Sequence, residues 1–255
     1  MRLLLTVLLV AWMGLISLPA YLHAQLVQEF NPPPSHCCLS SLAQRLADGA
    51  QDINELGRYH QDDLRLEAEP PVPGRVVFLG DSITDIWNLK KFFPGKPYVN
   101  RGIGGQTTPQ MLVRMYPDVI DLKPAAVILL GGTNDVARNM GPETAKMIEE
   151  NIEAITDLAE SHHIKVILCS LTPVSNYMRT KQTIHRPPPQ ILELNAWIKS
   201  YAARAHAVYA DYYSAVVDKN GMFRNGYSND GLHPNDRGFA LLAPIAKAAI
   251  AKALR

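Results

Sequence analysis

Ser82, Asp230 and His233 are the residues whose types and spacing point to chemistry in this chain. A serine hydroxyl is a weak nucleophile until a base removes its proton during attack, and an imidazole, with an ordinary pKa of about 6.5, can do that at neutral pH. A carboxylate on the other ring nitrogen fixes the tautomer and stabilises the charged ring. In Asp230-Gly231-Leu232-His233-Pro234 the carboxylate and the imidazole are close enough to meet on a single turn. Each signal also has a plainer reading. Asp81 or Ser82 can serve as a helix N-cap, and the segment ending at Pro234 can be a surface turn.

The elements around these residues decide between the readings. Val76-Val77-Phe78-Leu79 is an apolar run of buried-strand length that leads into Gly80-Asp81-Ser82-Ile83-Thr84, so Ser82 is expected at a strand-to-helix corner. Open α/β sheets bind ligands at that carboxyl edge. A short second strand is expected at 98–100, followed by Arg101-Gly102-Ile103-Gly104-Gly105-Gln106-Thr107-Thr108, whose glycines let backbone amides face a ligand. The run lacks the Lys-Ser/Thr of a P-loop and the full G-x-G-x-x-G spacing, which weakens a nucleotide reading. A third strand at 125–130 ends at Gly131-Gly132-Thr133-Asn134-Asp135, placing the Asn134 amide at the same edge as Ser82, with a turn or cap role as the alternative.

The rest of the chain keeps this rhythm. Ser40 is expected to cap a helix reaching about Glu67, with Leu42, Leu46, Ile53 and Leu56 on its inner face, as a packed extension. A helix over 142–161 with Ile148, Ile152, Ile155 and Leu158 buried precedes a strand at 165–170. Residues 171–189, with Tyr177, Met178, His185 and Arg186, read as a long structureless loop, either a substrate-specificity loop or a solvated connector. A helix with Leu192, Leu194, Trp197, Ile198 and Tyr201, a strand at 207–210, a turn at 218–221 and a last helix over 237–254 complete the series. Alternating strands and helices argue for a parallel sheet covered on both faces.

Lys and Arg total 25 and Asp and Glu 24; setting aside Arg2, the only charged residue of the first 24, leaves 24 of each sign. With no basic block, nucleic acid and polybasic membrane contact are not expected as partners. Arg2, the apolar residues 3–18, Pro19 and the small residue Ala24 read as an export signal at 1–24, cut before Gln25. Its length also suits an uncleaved anchor, against which Pro19 and Ala24 weigh. A stable membrane span after cleavage is not expected, and with no Cys at the cut neither is a lipoprotein anchor. The Pro-rich stretch 25–39 reads as a linker and 40–70 as the helical extension, leaving 71–255 as one catalytic-size domain. Of three cysteines, Cys169 sits in an apolar run as a small buried thiol, whereas Cys37 and Cys38 are neighbours that bridge each other only with strain. No Cys/His spacing indicates zinc, and neither metal nor cofactor is expected.

With these residues in place, the chain from about Val76 onward resembles the SGNH hydrolases, or GDSL esterase/lipase family. The family's blocks occur in order as Gly80-Asp81-Ser82, Gly105, Gly132-Thr133-Asn134-Asp135 and Asp230-Gly231-Leu232-His233, with Ile83 where the name-giving pattern has Leu. The resemblance implies a three-layer α/β/α sandwich with about five parallel strands, close to flavodoxin. It also implies Ser82 as nucleophile, His233 as base and then acid, Asp230 as its orienter, and an oxyanion hole from the amides of Ser82 and Gly105 and the side chain of Asn134. The 102–108 run further resembles the branch of the platelet-activating-factor acetylhydrolase catalytic subunits and related bacterial esterases. The expected function is an exported serine esterase acting on short acyl or acetyl esters of carbohydrates or lipids. The alternatives are acyl transfer to a sugar hydroxyl, and a non-catalytic carbohydrate- or surface-binding module on the same scaffold. The family leaves the substrate open, and oligomeric state is not readable.

Overall fold

The computed structural model describes residues 52–177 and 181–255. The expected signal, linker and start of the N-terminal helix lie outside the described residues, as do Cys37 and Cys38. Five strands, β1 (Val76–Gly80), β2 (Tyr98–Gly102), β3 (Ala126–Leu130), β4 (Lys165–Cys169) and β5 (Val208–Ala210), form one parallel sheet in the order β2-β1-β3-β4-β5. Apart from β2, which carries Asn100 and Arg101, they are near-continuous apolar runs because both faces are covered, and every residue of β1 and β3 is buried. The strand order reverses between β1 and β3, which puts a crevice beyond the carboxyl ends of those two strands.

The helices are α1 (His60–Ala68), the single turns α2 (Ser82–Asp85) and α3 (Leu89–Phe92), α4 (Thr108–Val113), the single turn α5 (Thr133–Val136), α6 (Ala145–Ser161), α7 (Gln182–His185), α8 (Pro188–Arg204), α9 (Tyr212–Val216) and α10 (Asp236–Ala253). The long helices α6 and α8 lie together on β4, and α10 lies along β3, β4 and β5 with α9 and α3 beside it. Aromatic packing seals the α10 side: Trp87 stacks on Phe239 with ring centres 4.9 Å apart and meets Phe78 edge-on at 5.8 Å. The α/β/α sandwich expected from the sequence is the fold.

Some boundaries differ from expectation for physical reasons. Residues 52–59 form turns, and α1 begins only at His60. Glu55 takes a left-handed backbone (φ 54°), which interrupts a helix, and Ile53 and Leu56 are 54% and 40% exposed instead of forming its inner face. Strand β2 runs two residues further than apolar character allows because Arg101 is buried in it, held by Asp63 at 2.6 Å and Asp62 at 2.8 Å from α1. Segment 171–189 is not structureless. Leu171, Val174 and Ser175 are buried, Ser175 N donates to Gly231 O (2.7 Å), and α7 and the start of α8 occupy its second half. Helix α6 starts at Ala145, after Gly141 (φ 120°), with Thr144 accepting from Met147 N.

Candidate active site

Strand β1 ends at Gly80, where any side chain would collide with Thr84 Oγ1 and stand 2.6 Å from Leu130 O, so only glycine lets the chain turn this sharply into α2. Asp81 caps that turn: its Oδ1 accepts from Ile83 N at 2.9 Å. The capping reading of Asp81 therefore holds, and it is what frees Ser82 to present its hydroxyl. From the far end of the chain, His233 meets it, with Ser82 Oγ 2.8 Å from His233 Nε2.

The base stands on a turn built by its own carboxylate. Asp230 Oδ1 accepts from Leu232 N (2.9 Å), His233 N (2.8 Å) and Ser228 Oγ (3.1 Å), while Oδ2 lies 2.6 Å from His233 Nδ1. Gly231 sits at φ 81° with Ser175 packed against its α-carbon, where a side chain would meet the Ser175 carbonyl carbon at 2.8 Å. Directly after the turn Asn235 caps α10, accepting from Arg237 N and Gly238 N. Burial pushes the Asp230 carboxyl up, but the hydrogen bonds from the His233 ring and from the His233 and Leu232 amides outweigh it and hold Asp230 at about 2. An ionised Asp230 accepts from Nδ1–H, which leaves Nε2 bare to accept from Ser82.

The glycine loop lies against the same serine. Ile103 N donates to Gly80 O (3.0 Å), and a side chain at Gly104 would come within 3.9 Å of Ser82 Cβ. Gly105 adopts φ 82°, a backbone that turns the loop before α4, and Asn139 Nδ2 donates to its carbonyl at 3.2 Å. Asn134, on α5 and 2% exposed, joins the loop through Nδ2, which donates to Gln106 O at 3.0 Å. Its Oδ1 accepts from Arg186 Nη2 at 2.9 Å. All five residues singled out in the sequence thus gather at one rim, around the ends of β1 and β3. From the sequence Arg186 belongs to a specificity loop or solvated connector with no role of its own, and nothing in its neighbours' types signals a buried guanidinium. Gln106 is seen there only as part of the glycine run, and Ser228 carries no signal.

A sequence profile of the GDSL-like lipase/acylhydrolase family matches residues 78–241, the stretch that carries this rim. The chain belongs to that family. It is similar to a solved GDSL-like lipase of Bacteroides thetaiotaomicron VPI-5482, with 37% identity, a TM-score of 0.73, and coverage of 79% of this chain and 99% of that one. A second solved structure, from Streptococcus pneumonia and described by reference to platelet activating factor, shares 25% identity with a TM-score of 0.68 over 82% of this chain and 99% of its own. This agrees with the narrower resemblance read from residues 102–108. Among curated proteins the chain is similar to YqeF, an uncharacterized lipoprotein of Bacillus subtilis strain 168, at 37% identity over 118 residues, covering 39% of this chain. The chain spans about half (49%) of that relative's length. Among the described residues no helix is long and apolar enough to cross a membrane, and no cluster of three or more His, Cys, Asp or Glu stands ready to hold a metal ion.

Proposed function

We propose that this member of the acylhydrolase family is an exported serine esterase that cleaves short-chain acyl or acetyl esters through an acyl-enzyme. The observation that carries the reading is the unbroken relay from Ser82 Oγ through the His233 ring to Asp230, at 2.8 and 2.6 Å. In the first step Ser82 Oγ bonds to the ester carbonyl carbon while His233 Nε2 takes its proton. Collapse of the tetrahedral state returns that proton to the departing alcohol. Water then enters by the same route, His233 taking its proton and giving one back to Ser82. The amides of Ser82 and Gly105 and the second Nδ2 hydrogen of Asn134 hold the oxyanion, a charge present only in the tetrahedral states, so they lower the barrier instead of tightening ground-state binding. Export rests on the charged start, apolar stretch and small residue of 1–24 and fits a relative that is a lipoprotein.

Fluorophosphonate labelling tests the centre. Wild-type protein takes up one probe and hydrolyses p-nitrophenyl esters, fastest at the short end of a chain-length series assayed beside an acetylated oligosaccharide; Ser82→Ala does neither. A folded wild-type protein that neither labels nor turns over any ester points to a binding module on a hydrolase scaffold. Labelling that persists in Ser82→Ala removes the serine from the reaction. A mature N-terminus at Gln25 in exported protein is the expected mark of signal cleavage.

A further inference from the structure

The side-chain amide of Asn134 is useful in an oxyanion hole only if its NH2 group faces the reacting carbonyl, and an amide can flip. Two contacts decide which way it stands. On one side Nδ2 donates to Gln106 O at 3.0 Å; on the other Oδ1 accepts from Arg186 Nη2 at 2.9 Å. Flipping would aim NH2 at a guanidinium, which only donates, and the amide oxygen at a carbonyl, which only accepts. Arg186 is itself immobilised. It is 7% exposed, its Nε donates to Thr133 O at 3.1 Å, and its Nη1 donates to Gln182 Oε1 at 2.9 Å. One side chain therefore grips both the backbone carbonyl before Asn134 and the amide oxygen of Asn134.

We propose that Arg186 is a positioning residue of this site: from the segment before α8 it locks the Asn134 amide with its donor toward Ser82, and its charge polarises that donor. A charged donor on Oδ1 draws electron density from the amide and makes the remaining Nδ2 hydrogen a stronger partner for a developing oxyanion. The segment that reads from sequence as either a specificity loop or a solvated connector thus carries a support for the transition state. The proposal rests on the reading of Asn134 as an oxyanion donor.

The test is a double-mutant cycle on p-nitrophenyl acetate with Arg186→Met, Asn134→Ala and both together, with folding followed by circular dichroism and melting temperature. Arg186→Met is expected to lower kcat about 10- to 100-fold with KM within about twofold, a part of the loss that follows removal of an oxyanion donor. In the Asn134→Ala background the same change is expected to cost less than about twofold, because there is no amide left to position. Arg186→Lys keeps a cation but cannot reach three acceptors at once. A kcat loss of about 3- to 10-fold is expected from it, again absent beside Asn134→Ala, and this variant decides the matter on the same criterion if the Met variant does not fold. Unchanged kcat, or losses that multiply in the double variant, overturns the proposal while leaving Asn134 in the hole. Full activity of Asn134→Ala removes the hole reading, and the role of Arg186 goes with it.

Discussion

Asp230 accepts four donors with two oxygens: the Leu232 and His233 amides and Ser228 Oγ on Oδ1, and the imidazole on Oδ2. Replacing it with Asn keeps the shape but can present NH2 to Nδ1, which forces the ring proton onto Nε2 and removes the acceptor that Ser82 needs. Asp230→Asn is therefore expected to lower kcat by about 10³- to 10⁴-fold in a protein that still folds, measured on a p-nitrophenyl ester; a loss under about tenfold would show that the tautomer is not set by this carboxylate. At Asn134 the loss is electrostatic. Asn134→Ala removes one donor and is expected to reduce kcat by about 100-fold or more with little change in KM. Ser82, Gly105, Asn134, Asp230 and His233 were legible together because their four short blocks occur in the order of the resembled family, whereas each corner alone also reads as a cap or a turn. Arg186 was not, since its burial depends on three acceptors, Thr133 O, Gln182 Oε1 and Asn134 Oδ1, of which the farthest lies more than fifty positions away.

At the scale of the element, the two corners that carry the nucleophile and the base depend on glycine for different reasons. Gly80 has no room for a side chain, whereas Gly231 combines a left-handed backbone with contact to Ser175, whose amide donates to the Gly231 carbonyl at 2.7 Å. Gly231→Ala must move either the 228–234 turn or the buried 171–175 strap. The expected outcome is a lower melting temperature together with a kcat loss of at least about tenfold, because a displacement of about 1 Å in the base is costly to proton transfer. A variant with wild-type activity would show that the turn adjusts without moving His233. Strands β1, β3, β4 and β5 were readable because parallel strands buried on both faces are largely apolar, and helices α6 and α8 were readable from the spacing of their apolar residues. Helix α1 was not readable at its start, where Glu55 takes a left-handed backbone, nor strand β2 at its C-terminal end, where Arg101 is held by Asp62 and Asp63 and an ion pair leaves no periodic pattern.

Across the whole molecule the buried carboxyls set how stability follows pH. Asp81 is fully buried beneath the corner of α2, and burial first, with the nearby Asp135 adding to it, pushes its carboxyl up to about 7 against the hydrogen bond from Ile83 N and the charge of Arg186. Burial also raises Asp135 and Glu143 as one pair beside α5, and Asp63 and Asp118 as another under α1. A shared proton accounts for the otherwise unpartnered oxygens Asp135 Oδ2 and Glu143 Oε2. In each case the folded chain keeps a proton that the unfolded chain releases near pH 4. Stability is therefore expected to fall as pH rises from about 4 to about 7, and to level off above that. Asp230 works the other way: held at about 2, it stabilises the fold above pH 4 and loses that effect as pH drops toward 2. The optimum is thus expected near pH 4. Asp81→Asn isolates one of these contributions, since an asparagine oxygen can still cap Ile83 N and carries no charge to bury. At pH 8 the variant is expected to gain up to about 4 kcal/mol, the equivalent of a three-unit shift, and at pH 5, about one unit above the unfolded carboxyl, only about 1.5 kcal/mol. Urea unfolding at the two pH values measures both quantities, and an equal effect of the substitution at pH 5 and pH 8 would show that the Asp81 carboxyl is already ionised inside the folded protein.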